Sequence, residues 1–252
     1  MRKTFLLLAM GACLAGGQSL DFPTLGYILA GDRVAHLFGV AGAFSIGEPQ
    51  YNDVLSAAFS GQAGLLKTAG EVLVLDSKGR TTASVAAPEG PALFAFSAQG
   101  SPGGALFPAA GEIYLFRDEE VTRIAAELPA GEPVALGVSD SGTVTVLLDR
   151  DDGLWKSRFS IANGQFETAE FVPEIQAPAV FLPGGSILGT TEEGLVVFFP
   201  EKARQQIPLH FRPSAIERIG SGWLLLQADS RARYGIRLDQ PEHLYELPGG
   251  PQ

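Results

Sequence analysis

The chain has 252 residues, and its 31 glycines and 17 prolines fill about a fifth of all positions, too many breakers for a helical bundle. Charged residues make up 18% and hydrophobic ones 46%, so neither intrinsic disorder nor a coiled coil fits. The formal net charge of -10 argues against nucleic acid as a partner, because an acidic surface repels a phosphate backbone. A loop-rich, all-β fold remains.

In chain order, the first feature is Arg2 and Lys3 ahead of an apolar run over residues 5–15, followed by Gly16 and Gly17. A basic head, a short apolar stretch and a small-residue exit make a signal peptide over residues 1–17, leaving residues 18–252 as one exported domain, periplasmic or extracellular. The run is shorter than the ~20 apolar residues of a spanning helix, and no other segment reads as a membrane span. Cys13, the only cysteine, lies inside the leader, so cleavage near Gly17 leaves no thiol. Met10-Gly11-Ala12-Cys13 also resembles the lipobox of bacterial lipoproteins, which makes an acylated Cys13 the alternative. Loss of Arg2 and Lys3 leaves 16 basic against 28 acidic residues, a net of -12.

A repeat organises the remainder. Glycine opens a β-rich run at Gly26, Gly70, Gly111, Gly153, Gly194 and Gly235, with spacings of 44, 41, 42, 41 and 41 residues. A second run precedes the later anchors, over residues 54–59, 92–97, 134–138, 179–182 and 215–219. In the fourth copy, runs over residues 134–138, 143–148, 154–161 and 166–172 are separated by Asp140-Ser141-Gly142, Asp151-Asp152-Gly153 and Asn163-Gly164. Asp-Gly and Asn-Gly supply the positive φ that tight hairpins require, so each copy reads as a four-stranded antiparallel meander. Sheets repeating every ~40 to 45 residues bury both faces by packing around an axis, which is a β-propeller. Six anchors predict six blades, the first of them incomplete because little chain precedes Gly26. Five blades plus an added N-terminal strand pair is the alternative count.

In period and strand pattern the chain resembles the secreted bacterial β-propellers of the WD40-like, NHL-like and YVTN-like kinds, without the Trp-Asp and Gly-His dipeptides of true WD40 blades. The resemblance implies a propeller over nearly all of residues 18–252. It transfers no activity, since propellers serve as binding scaffolds, assembly factors and enzymes.

Chemistry-bearing residues are sparse. His36, His210 and His243 fall in different copies without ligand spacing and read as surface or blade-edge residues. Asp149-Arg150-Asp151-Asp152-Gly153 has the wrong register for a helix-loop-helix calcium loop and reads as a hairpin turn. Asp53, Glu89, Glu132 and Glu174 precede the first strand of successive copies, and such connections gather around a propeller's channel mouth. There they would suit calcium, as propeller lactonases resemble, or serve as solvated loop carboxylates. Trp155 and Trp223 lie in strand runs and read as packing between blades. Residues 202–237 hold seven basic residues (Lys202, Arg204, Arg212, Arg218, Arg231, Arg233 and Arg237) against Glu217 and Asp229. Blades five and six would therefore carry a basic sector able to dock an acidic partner, a second copy of the chain included. The leading expectation is a non-enzymatic binding or scaffolding module without a cofactor, engaging a protein or other ligand. The alternative is a metal-dependent hydrolase using the acidic mouth.

Overall fold

Short apolar runs bounded by glycine and aspartate form strands because each hairpin turn finds a residue that tolerates positive φ. In the fourth repeat Gly142, Gly153 and Gly164 take φ of 87°, 122° and 66° at the three expected turns. The computed structural model describes residues 23–40, 42–118, 120–199, 204–219 and 222–248. The leader and Cys13 lie outside them.

Six antiparallel sheets follow one another along the chain. Blade 1 is β1 (Thr24–Ala30), β2 (Arg33–Val40) and β3 (Ala43–Tyr51). Blade 2 is β4 (Ser56–Phe59), β5 (Ala63–Lys67), β6 (Glu71–Asp76) and β7 (Thr81–Ala86). Blade 3 is β8 (Leu93–Phe96), β9 (Gly103–Phe107), β10 (Glu112–Arg117) and β11 (Glu120–Ala125). Blade 4 is β12 (Glu132–Val138), β13 (Val144–Arg150) and β14 (Gly153–Ser160), with a broken fourth strand, β15 (Gln165–Phe166) and β16 (Glu170–Val172), both paired to β14. Blade 5 is β17 (Gln176–Phe181), β18 (Ile187–Thr191), β19 (Gly194–Phe198) and β20 (Gln205–Pro208). Blade 6 is β21 (Pro213–Ile219), β22 (Trp223–Ala228), β23 (Arg233–Arg237) and β24 (Gln240–Glu246). The first strands β1, β4, β8, β12, β17 and β21 touch in that order, and β21 returns to β1. The chain is a six-bladed β-propeller.

Each pair of adjacent blades shares one apolar cluster. Leu65 and Val72 of blade 2 meet Phe107 and Tyr114 of blade 3, and Leu106 and Ile113 of blade 3 meet Leu136 and Phe159 of blade 4. Leu154 meets Phe181 and Ile187, Leu195 meets Leu224 and Ile236, and Val34 meets Leu66 and Leu75. The strand anchors Val72, Ile113, Val196 and Ile236 are 0%, 0%, 8% and 0% exposed, as a position between sheets requires. Packing is close enough that a Cβ on Gly137 would lie 2.8 Å from the ring of Phe181 in the next blade.

Two anchors differ from the others. Gly70, Gly111, Gly153 and Gly194 stand at the hairpin entering, or at the first residue of, a third strand. Gly26 lies instead in β1, the innermost strand, where the β1–β2 register shifts. Its similarity to the others is a local glycine-aliphatic pattern, and the third strand of blade 1 is β3. Gly235 sits inside β23 opposite Leu225, because the turn before that strand is made by Asp229, Ser230 and Arg231. Among the described residues blade 1 has three strands, incomplete as expected, and β3 is its outermost.

The ring closes between blades 6 and 1 by side chains, since each blade draws its strands from one contiguous stretch. Ile28 and Leu37 pack on Ile219, Trp223, Leu225 and Leu247. Phe44 meets Trp223 edge-on at 5.5 Å and Tyr245 at 5.9 Å. Trp223→Ala is expected to cost about 3–5 kcal/mol in urea unfolding, as truncation of a buried large aromatic does. It should also raise protease sensitivity in blade 1 first, and a variant that unfolds like wild type would place the closure elsewhere.

Candidate functional site: the central channel

Inner strands of a propeller run beside the axis, so their side chains decide what the channel presents. The channel has a volume of about 950 Å³, at the upper end of the ~300–1,000 Å³ typical of small-molecule sites. Its wall is polar and apolar in nearly equal shares, the apolar part including Leu29, Leu55, Leu93, Phe94, Val134 and Val180, each contributed by a first strand or the residue before it. The space extends sideways into a cleft by blades 4 and 5, where Lys156, Arg158, Glu167 and Glu170 line it from the outer strands of blade 4. Lys156 and Glu170 form an ion pair at 3.1 Å.

Among the wall residues supplied by the inner strands, only Glu217 and Arg218 of β21 are charged. Side chains alternate along a strand. Ile216 belongs to the cluster shared with blade 5 and Ile219 to the one shared with blade 1, so Arg218 turns toward blade 5 and Glu217 toward blade 1. Water reaches Glu217, an exposed side chain, yet the ring encloses it closely enough that desolvation raises its pKa above the ordinary carboxylate value. Arg233, on the same face of blade 6, opposes that rise by its charge. One guanidinium nitrogen of Arg233, Nη1, is buried with no hydrogen-bond partner. Desolvation lowers the pKa of Arg218, but a guanidinium starts so high that it stays charged at any physiological pH.

The four loop carboxylates do not assemble. Among the described residues no three His, Cys, Asp or Glu side chains come together in a group able to hold a metal ion. Glu174, at a φ of 64°, forms an ion pair with Arg204. Glu89 acts on Lys67, whose side chain is buried at 0% exposure and donates to the carbonyls of Thr68 and Ala69 at 2.5 and 3.1 Å. Burial lowers the pKa of Lys67, and the charge of Glu89 opposes that fall. Glu132 stands opposite Asp149 in the β12–β13 register. Asp53 occupies an exposed turn at a φ of 57°.

The basic stretch is dispersed by the pleat. Arg204 pairs with Glu174 and lies over Phe198, and Arg237 is paired with Asp239. Arg212 donates to the carbonyl of Ala177 at 3.2 Å. Arg231 is at the exposed tip of the β22–β23 hairpin, and Lys202 lies outside the described residues. Trp223 is core, but Trp155 is only half-buried. Its indole donates to Asp152 at 2.8 Å, with Arg150 over its ring at 4.5 Å and the exposed Phe171 at its edge. His36 is not at a blade edge: it sits in β2, its ring 4.2 Å from that of Tyr27. Burial lowers its pKa.

No family model matches the chain, and no curated protein matches its sequence. Solved structures match in shape. A chain of hydrazine synthase from Kuenenia stuttgartiensis aligns at a TM-score of 0.51 and 11% identity, over 91% of this chain and 81% of that one. A chain from a nidogen/laminin complex aligns at a TM-score of 0.59 and 9% identity, over 89% of this chain and 92% of that one. At such identities they share the fold alone. No helix among the described residues is long and apolar enough to cross a membrane.

The raised pKa of Glu217 has a measurable sign. An acid whose folded value exceeds its unfolded one holds its proton more tightly when folded, so its contribution to stability falls as pH rises between the two values. Glu217→Gln should therefore gain stability relative to wild type as pH rises from ~4.3, the unperturbed glutamate value. Paired urea melts across pH 4 to 8 check this, and a constant difference would mean that the carboxyl is as solvated as in the unfolded chain.

Proposed function

We propose that this protein is an exported, non-enzymatic binding module that seats its ligand in the central channel. The observation that carries this reading is the channel itself: about 950 Å³ of space whose wall is polar and apolar in nearly equal shares, with two charged groups on one inner strand and further charged side chains from blade 4. Concave sites that combine apolar surface with placed polar groups are the usual form of a ligand pocket. Such a channel suits a small amphipathic molecule or an inserted peptide segment. Export is supported by the basic, apolar and small-residue order of residues 1–17. A propeller of similar shape occurs in a nidogen/laminin complex, which supports a protein among the partners of this one.

A neutral apolar fluorophore, N-phenyl-1-naphthylamine, tests the channel. Its emission should rise saturably with the folded protein. Leu55 is 46% exposed and lines the channel, so Leu55→Trp should narrow the space without removing core. The variant is expected to weaken probe binding at least about fivefold at unchanged melting temperature, as loss of a good apolar fit of ~1 kcal/mol does. Absence of saturable binding, or equal affinity in the variant, would overturn the reading.

A further inference from the structure

We infer that the channel's ligand is a small amphipathic anion, an apolar body bearing one carboxylate-like or sulfonate-like group, and that Arg218 holds that group. The inference rests on the channel being the binding site.

Four arginines have no side-chain hydrogen-bond or ion-pair partner among the described residues: Arg231 and Arg158, the latter also lining the channel, are exposed to water, Arg233 faces the charge of Glu217, and Arg218 is half-buried with no carboxylate acting on it. Arg80 pairs with Asp76, Arg204 with Glu174 and Arg237 with Asp239. Arg123, Arg150 and Arg212 each donate to a backbone carbonyl. Arg218 is half-buried and has no hydrogen-bond or ion-pair partner among the described residues. A guanidinium carries five N–H donors, and withdrawing it from water without acceptors costs free energy. Among the described residues no carboxylate forms an ion pair with this one. Glu217, next in sequence, lies on the opposite face of β21, where Arg233 is the charge it feels.

The surroundings specify the rest of the ligand. The face of β21 that carries Arg218 also carries Ile216, which packs with Leu182 of blade 5, and Val180 joins the same cluster. These residues line the channel with Phe181. An anion bound to the guanidinium fork would therefore lay its remaining atoms against aliphatic and aromatic side chains. The carboxylates Glu167 and Glu170 reach the space from outer strands of blade 4, and Asp140 lies in the β12–β13 hairpin, where it accepts from the amide of Gln99 at 3.3 Å. None of the three is on an inner strand. Arg rather than Lys at this position favours a group that presents two oxygens side by side to the guanidinium fork, as a carboxylate or a sulfonate does.

Two fluorescent probes that share an aryl framework separate charge from apolar fit: 1-anilinonaphthalene-8-sulfonate and the neutral N-phenyl-1-naphthylamine. Wild type should bind the sulfonate at least about tenfold more tightly, the range of a charge-assisted hydrogen bond. Arg218→Met should erase that preference while leaving the neutral probe's affinity unchanged. The ligand-free Met variant should melt at or above the wild-type temperature, because an unpaired desolvated charge has been replaced by an apolar side chain of similar length. Arg218→Gln serves as a second variant should Met perturb the fold. Dodecanoate should displace the sulfonate probe, and dodecyltrimethylammonium should not. A preference that survives both substitutions, or displacement by the cation alone, overturns the assignment of Arg218. Failure of both probes to bind removes the channel reading and this inference with it.

Discussion

The structure depends on the contact between blades 6 and 1. Elsewhere around the ring consecutive blades are also joined by the chain, but at this seam, among the described residues, the two sheets are held together by side chains. Trp223, Phe44 and Tyr245 form an aromatic set there, in edge-on and tilted geometries that suit the ring quadrupoles. Beneath them, Ile28, Leu37, Ile219 and Leu247 exclude water. Blades packed face to face around an axis can bury both faces only if the first also meets the last. The channel and its charges exist because this seam is closed.

Much of that architecture can be read in the sequence, and the reason is specific. A blade is a local object: its turns, pleat and period arise from residues within ~41 positions of one another, so Gly142, Gly153 and Gly164 and the four runs beside them identify a meander without knowledge of the ring. The inner strands can be read as well, since the runs over residues 134–138 and 215–219 fall within β12 and β21. Register fails where local likeness misleads. Gly26 opens a β-rich run like its counterparts, yet belongs to an inner strand because the chain starts blade 1 at the axis.

The site is less legible. Counting charge along residues 202–237 joins side chains that the pleat sends to different faces, and the count cannot know that Arg204 meets Glu174 across a loop. A sharper signal was present: four inner-strand runs contain only apolar or small residues, whereas the run over residues 215–219 reads Ala-Ile-Glu-Arg-Ile. A charged pair interrupting an otherwise apolar ring position is the mark of the channel wall. In one dimension Glu217 is one of two acids in a basic stretch, because a solvated acidic loop residue and a carboxylate facing the axis look alike there. The acidic connections before each first strand were found by correct topology. Of these carboxylates, Glu174 is paired with Arg204, and Glu89 acts through its charge on the buried Lys67.

The outer edge of blade 1 has a further consequence. Every other third strand is covered by a fourth, but among the described residues β3 ends its sheet, and its backbone donors and acceptors face outward with Pro49 and two register shifts along the strand. A proline and an irregular ladder are what edge strands use to refuse a foreign strand. Among the described residues blade 1 thus presents one open sheet edge together with features that discourage a foreign strand from pairing with it.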